Sequence, residues 1–350
     1  MSGGVDSSLT AALLQKEGYD VVGVTMQIWP SSLPGQQAEG GCCSLVAVDD
    51  ARRVADKLGI PYYVLNFQEA FEQQVIKYFC AEYAQGRTPN PCIKCNEIIK
   101  FGFLLKKTLE LEGEFLATGH YAQKDYDGSR YLLRKAVDLK KDQTYNLYSM
   151  TQEQLKYILF PLGKFKKTET REMARELGLA VANKPDSQEI CFIPDNDYKR
   201  FLKEYSPEVA EPGEITDRQG KVLGRHEGVC FYTVGQRKGL GLSAGKPLYV
   251  VDLDKEKNRV IVGENEEIFS SGLIANQLNW IAIAGLEEPL EVMARIRYSA
   301  PDSPALLIPL AGGRVKVEFK EPQRAITPGQ AVVFYQEELV VGGGVIEKKI

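Results

Sequence analysis

Two hydrophobic patterns alternate through the first half of the chain. Leu9, Ala12, Leu13 and Lys16 follow the three- and four-residue spacing of a helix that stops at Gly18. The run "DVVGVTMQIW" then predicts a buried strand, residues 46–58 a helix closed by Gly59, and "PYYVLNF" a second strand. Residues 69–84 and 97–111 read as further helices, and "EFLATGHY" as a strand after them. Strands separated by helices predict an α/β fold: a parallel sheet covered on both faces, with ligands at the carboxyl ends of the strands.

After about residue 197 the pattern changes. Short β-rich runs such as "GEITDRQGKVLG", "GVCFYTVGQ" and "PLYVVDLDKEKNRVIVG" are broken by Gly, Pro and Asp turns. Residues 279–350 hold several more short strands at hairpin spacing. This half reads as one or two small β domains of barrel type. There is no internal repeat. Residues 30–41 form a long Gly/Ser-rich loop, expected to be mobile.

Composition narrows the class. At 350 residues, with 44% hydrophobic and 26% charged positions, the chain is a globular protein of two or three domains. No apolar run approaches the ~18 residues of a membrane span, and the N-terminus carries no export signal. Seven cysteines, at 42, 43, 80, 92, 95, 191 and 230, are an odd number and point to a reducing, cytoplasmic setting. The net charge of −4 neither advertises nor excludes a nucleic-acid partner, because such binding needs only a local basic face.

Chemistry concentrates first at "SGGVDSS". Ser2, Gly3, Gly4, Val5, Asp6, Ser7 and Ser8 supply close-approaching backbone, hydroxyl donors and the positive end of the following helix, the elements of an anion cradle. The Gly-Lys-Ser/Thr ending of a Walker A loop is missing, so the loop suits a pyrophosphate that leaves intact. Asp6 is a candidate Mg²⁺ ligand. The bland alternative is a glycine-rich helix cap. The string has the form of the PP-loop of ATP pyrophosphatases, which it resembles.

The second concentration is "GRTPNPCIKCNEIIKFG". Cys92 and Cys95 form C-x-x-C where a helix begins, a position that lowers a thiol pKa, and Cys191 in "DSQEICFIP" is a remote third thiol. Zinc or unrelated core thiols are the plain alternatives, although a second C-x-x-C pair is missing. Cys80, on an apolar helix, and Cys230, in a strand pattern, read as core. Cys42 and Cys43 read as structural.

The chain is similar over almost its whole length to the bacterial-type tRNA-specific 2-thiouridylases. The matching strings include "SGGVDSS", "GRTPNPCIKCNEIIKF", "ATGHY", "KDQTYNLYSM", "LFPLGKFKKTETRE", "DSQEICFIP", "YTVGQRKGLG", "RIRYSAP" and "TPGQAVVFY". The resemblance implies a PP-loop nucleotide-binding domain over 1–197, a small central β-rich domain over 198–273 and a C-terminal β-barrel over 274–350. It implies ATP-dependent conversion of the tRNA wobble uridine to 2-thiouridine, with a persulfide relay protein or cysteine desulfurase as sulfur donor. Residues 2–8, Met26 and Gly119 would bind ATP. Cys95 would be the nucleophile and Cys191 the persulfide carrier, the two also able to form a disulfide. Asn90, Pro91 and Cys92 would lie at the target base, and His120, Lys141, Asp142, Gln143, Arg297, Tyr298 and Gln330 at the tRNA.

Two departures matter. The family usually has a short apolar strand before the loop, so residues upstream of Met1 are expected. Many members carry aspartate where this chain has Cys92. Three thiols suit a 4Fe–4S cluster with one open iron, so cluster-bound sulfide and a metal-free persulfide both stay open. The lysine run 164–167 and "GQRKGLG" are candidate phosphate contacts, against a solvated loop and a plain hairpin. Arg295 and Arg297 read as one face of a strand. Two other classes remain: a PP-loop synthetase acting on a small molecule, and an Fe–S or zinc RNA-binding module without catalysis.

Overall fold

A computed structural model describes residues 1–30, 45–186, 190–243 and 245–350. Cys42, Cys43 and most of the 30–41 loop lie outside the described residues. The chain divides into two compact units: Met1–Ile76 with Cys92–Asn196 and Glu338–Val340, and Lys77–Pro91 with Asp197–Glu337 and Val341–Ile350.

In the first unit, helix α1 (Val5–Lys16) is followed by strand β1 (Gly23–Gln27), helix α2 (Leu45–Leu58) and strand β2 (Tyr62–Asn66). The strands pair in parallel, with Gly23 opposite Tyr62, as the strand–helix–strand pattern requires. Val5 of α1 packs with Val54 of α2 and with Ala174, Leu179 and Val181, all buried. The expected strand "EFLATGHY" shrinks to β3 (Leu116–Ala117), because the chain turns at Gly119 against α1. A hairpin, β4 (Ala122–Tyr126) and β5 (Tyr131–Lys135), follows, and β6 (Ile158–Leu159) pairs in parallel with β3.

The long helices are not uniform. Helix Gln68–Phe71 passes through a π-helical turn at Glu72–Ile76 before Lys77–Ala84. Helix Pro91–Lys94 widens into a π-helix at Cys95–Leu104 and returns to α at Leu105–Glu110. Phe101 O accepts from the Gln154 side-chain amide at 3.0 Å. Hydrophobic spacing alone does not distinguish an inserted π-turn from α-helix.

In the second unit, the Lys77–Ala84 helix leaves its sequence neighbours and packs by aromatic contact. Tyr83 stacks on Tyr198 at 5.0 Å, and Phe79 meets Phe201 edge-on at 6.2 Å. Four strands, β7 (Gly213–Thr216), β8 (Val222–His226), β9 (Tyr249–Asp254) and β10 (Arg259–Gly263), form one sheet in the order β8-β7-β10-β9. "GVCFYTVGQ" is not a strand: Cys230 sits in a short 3₁₀ turn, Val229–Phe231, fully buried. Cys80 is also core, on its helix.

Six strands then make a closed barrel: β11 (Phe269–Trp280), β12 (Leu290–Arg295), β13 (Ser303–Leu310), β14 (Arg314–Arg324), β15 (Ala331–Gln336) and β16 (Leu339–Lys349). Their order is β11-β14-β13-β12-β15-β16, and β11 pairs back with β16, which removes the open edges. Leu307, Val317, Val332 and Phe334 fill the interior.

Phe334 is fully buried and stacks on Trp280 at 5.8 Å. Phe334→Ala is expected to destabilise the barrel by roughly 3–5 kcal/mol, read as a lower midpoint in urea unfolding followed by tryptophan fluorescence.

Candidate active site

The N-terminus of α1 is the candidate anion cradle. Gly4 caps it in extended backbone (φ −102°, ψ 165°) and, as a glycine, supplies no side-chain cap to the first-turn amides, which are the groups that hold phosphate at a helix start. The Ser2 amide donates to Ser7 Oγ at 3.0 Å, the two hydroxyls lie 3.2 Å apart, and Ser7 Oγ donates to Gly4 O at 3.3 Å. Gly3 has φ +65°, and a Cβ there would lie 2.3 Å from Ala47 O. Gly119, about 115 positions along the chain, closes the other side: a Cβ on it would fall 2.8 Å from the Asp6 carbonyl carbon and 2.9 Å from Ser7 N. Val5 and Ser8 have buried side chains, so within residues 2–8 they would reach a ligand through their backbone amides. Met26 lies on β1.

Charge gathers on Asp6. Lys167 Nζ donates to both Asp6 oxygens, at 2.7 and 2.8 Å, and lies 2.9 Å from Asp186 Oδ1. The Tyr121 hydroxyl donates to Asp6 at 2.9 Å. Burial, and then the Asp6 carboxylate, push the Tyr121 phenol far above its ordinary range, so it stays protonated. Asp186 also accepts from Lys141 at 2.7 Å and Arg171 at 2.9 Å. Burial pushes its carboxyl up, but the bonds from Lys141 and Lys167 outweigh this and bring it down to about 2. Lys184 donates to Gly3 O at 3.0 Å and to Asp50 at 2.8 Å. The lysine run 164–167 therefore does not act as one solvated loop. Lys164 is exposed beside Glu17, whereas Lys167 opens a helix, Lys167–Glu176, and is buried.

The three candidate thiols differ in setting. Cys92 is exposed in the first turn of the helix that starts at Pro91, and Cys95 is buried one turn further on. Cys191 is half-buried and precedes Phe192 and Ile193, which are core residues; Phe192 meets Phe71 at 5.7 Å. Among the described residues, no three His, Cys, Asp or Glu side chains gather as a metal-ligating group. Cys92, Cys95 and Cys191 thus do not present a cluster's ligand set in this conformation. Asn96, missed in the sequence, is buried beside Cys95; its amide donates to Asn146 O at 2.9 Å and its oxygen accepts from Lys100 at 2.9 Å.

The residues expected at tRNA fall into different settings. Asp142 is buried and accepts from the Thr144 hydroxyl at 2.8 Å, and Gln143 Oε1 accepts from the Tyr121 amide at 2.9 Å. Both brace the chain that carries Lys141. His120 Nδ1 lies 2.9 Å from Thr118 Oγ1, and burial, then the Lys100 charge, hold its pKa well below the ordinary value. β12 ends at Arg295, so Arg297 and Tyr298 stand in the turn beyond it rather than on the strand, and Arg295 and Arg297 share no strand face. Arg295 is taken by Asp302 at 2.6 Å, and Tyr298 is exposed. "GQRKGLG" is a succession of turns with Gly235, Gly239 and Gly241 at positive φ, not a hairpin.

Family models match the chain in three consecutive blocks: a tRNA methyl transferase HUP domain at residues 1–195, a tRNA methyl transferase PRC-barrel domain at 199–264 and an aminomethyltransferase beta-barrel domain at 270–346. The tRNA-specific 2-thiouridylase MnmA 1 of Thermoanaerobacter pseudethanolicus is 58% identical over 100% of this chain and 97% of its own. The tRNA-specific 2-thiouridylase MnmA of Heliobacterium modesticaldum is 59% identical over 100% of this chain and 92% of its own. The chain belongs to the tRNA-specific 2-thiouridylase family. A solved U34-tRNA thiolase NcsA from Methanococcus maripaludis with its 4Fe–4S cluster aligns at 19% identity and a TM-score of 0.35, over 60% of this chain and 65% of that one, a likeness that carries no argument here.

In this 2-thiouridylase, Gly119→Ala is expected to force the phosphate loop open and weaken ATP binding at least tenfold, measured by equilibrium dialysis. Asp186 is depressed from 3.8 to about 2, so the stability it contributes is complete above about pH 4 and is lost as pH falls through about 2. Asp186→Asn is expected to flatten acid unfolding in that window by up to about 2 kcal/mol.

Proposed function

We propose that this chain replaces O2 of the wobble uridine of tRNA with sulfur, using ATP to make that oxygen leave. The observation that supports it most is the cradle at α1, where open amides, Gly119 and a held lysine meet, in a chain 58% identical to a named 2-thiouridylase over its full length. ATP phosphates would rest on residues 2–8, with Met26 and Gly119 at the nucleotide. The ammonium of Lys167 is already fixed at the loop, so positive charge needs no reorganisation when pyrophosphate forms. Mg²⁺ is proposed to arrive on the ATP phosphates. Both Asp6 oxygens are taken by Lys167, so a role for Asp6 as its ligand requires that pair to part.

In the first step, uracil O2 attacks the α-phosphorus of ATP, the bond to the bridging oxygen breaks, and pyrophosphate leaves. The base is now an O-adenylated isourea. In the second, sulfur adds to C2 and AMP departs with the original oxygen. A donor protein would first place the sulfur on Cys191 as a persulfide. Attack of the terminal persulfide sulfur on C2, followed by attack of Cys95 on Cys191 Sγ, leaves 2-thiouridine and a Cys95–Cys191 disulfide. A thiol reductant then returns two electrons. A wobble base in an anticodon loop is reached without opening a duplex. Asn90, Pro91, His120, Lys141, Arg297 and Tyr298 are proposed tRNA contacts. Burial keeps His120 neutral near pH 7, which suits hydrogen bonding rather than phosphate attraction.

Cys95→Ser is expected to yield no 2-thiouridine while still releasing pyrophosphate in a tRNA-dependent way, because adenylation precedes sulfur delivery. Wild-type protein that thiolates a small molecule and ignores tRNA would instead establish the small-molecule synthetase reading.

A further inference from the structure

Residues 86–91, which lead into Cys92 and Cys95, are held from the β-rich half of the chain: Arg87 Nη2 donates to Ile346 O at 3.4 Å, and Thr88 makes most of the attachment. Its amide donates to Pro328 O at 2.9 Å. Its carbonyl accepts from Gln330 Nε2 at 2.8 Å. Its hydroxyl donates to Thr233 Oγ1 at 3.2 Å. All three polar groups of one residue are thus engaged by segments about 145 and 240 positions away. Gly329, between the two barrel partners, has φ +90°, and a Cβ on it would lie 2.9 Å from Thr88 N and 3.0 Å from Arg87 Cβ. The contact is so close that only glycine fits. The next residues, Pro89 (buried), Asn90 and Pro91, run directly into the cysteine helix, and two prolines make that stretch stiff. A displacement at Thr88 is therefore passed on to Asn90 rather than absorbed.

We infer that Gln330 is a positioning residue for thiolation: its amide holds the Thr88 carbonyl and so sets the place of Asn90 and Pro91, rather than reading tRNA. The inference rests on the proposed function above, which puts Asn90 and Pro91 at the target base. The barrel's loop after Ile326 acts on the base-contacting segment through two hydrogen bonds and one glycine contact.

The test compares Gln330→Glu, Gln330→Ala and Gly329→Ala with wild type. Gln330→Glu keeps the size of the side chain, removes the donor and adds a negative charge, and Gln330→Ala removes the donor without adding charge. Gly329 has no side chain to offer RNA, so its substitution removes no RNA contact and acts by crowding Arg87 and Thr88. All three variants are expected to lower single-turnover thiolation roughly three- to tenfold, the effect of one lost hydrogen bond. The tRNA Kd and its salt dependence should stay within twofold of wild type. Backbone amide exchange across 86–91 should accelerate in the unliganded protein. A loss in Gln330→Glu and Gln330→Ala that lies entirely in tRNA Kd, with exchange across 86–91 unchanged, would overturn the inference and make Gln330 a tRNA contact. The exchange arm reads the attachment even if wild-type protein fails to thiolate tRNA, so failure of this inference and failure of the proposed function are told apart.

Discussion

One ammonium group, Lys167 Nζ, fixes the arrangement of the candidate active site. It lies within 2.9 Å of carboxylate oxygens from Asp6, in the phosphate loop, and Asp186, on the approach to Cys191. Asp186 in turn takes Lys141 and Arg171. Removing the lysine would take from the partly buried Asp6 carboxylate its charged partner, leaving the Tyr121 hydroxyl, while Asp186 keeps Lys141 and Arg171. The cluster thus ties the loop proposed to bind phosphate to segments that are remote in sequence, and it holds a lysine beside that loop.

Much of this was legible before any coordinates. The helical spacing after "SGGVDSS", the stop at Gly18, and the strands around residues 23–27 and 62–66 follow from local periodicity, and local periodicity is what the fold kept there. The helix start at Val5 behind the candidate anion cradle was legible because its glycines, hydroxyls and apolar spacing are adjacent in sequence. The cysteines stood out by type and spacing.

What was not legible depends on distance along the chain. Lys167 looked like one residue of a surface lysine run; that it meets Asp6 is decided by a helix packed across 161 positions of sequence. Gly119 looked like the end of a strand, and only the approach of α1 to within a methyl radius shows why it carries no side chain. Asp142 and Gln143 were placed at tRNA by the family resemblance; that Asp142 also accepts from Thr144 and Gln143 from the Tyr121 amide shows only in the fold. Arg297 fell past the end of its strand, since alternation continues through a turn in sequence but not in space. The π-helical segment that begins at Cys95 has the same apolar residues as an α-helix and differs only in winding.

The account turns on the fate of one oxygen atom. ATP is proposed to convert uracil O2 into a leaving group, so tRNA carrying ¹⁸O at that carbonyl should, after one turnover, yield AMP bearing the label, with none in pyrophosphate or water, as read by mass spectrometry. Label recovered in water or in inorganic phosphate, with unlabelled AMP, would contradict adenylation of the base.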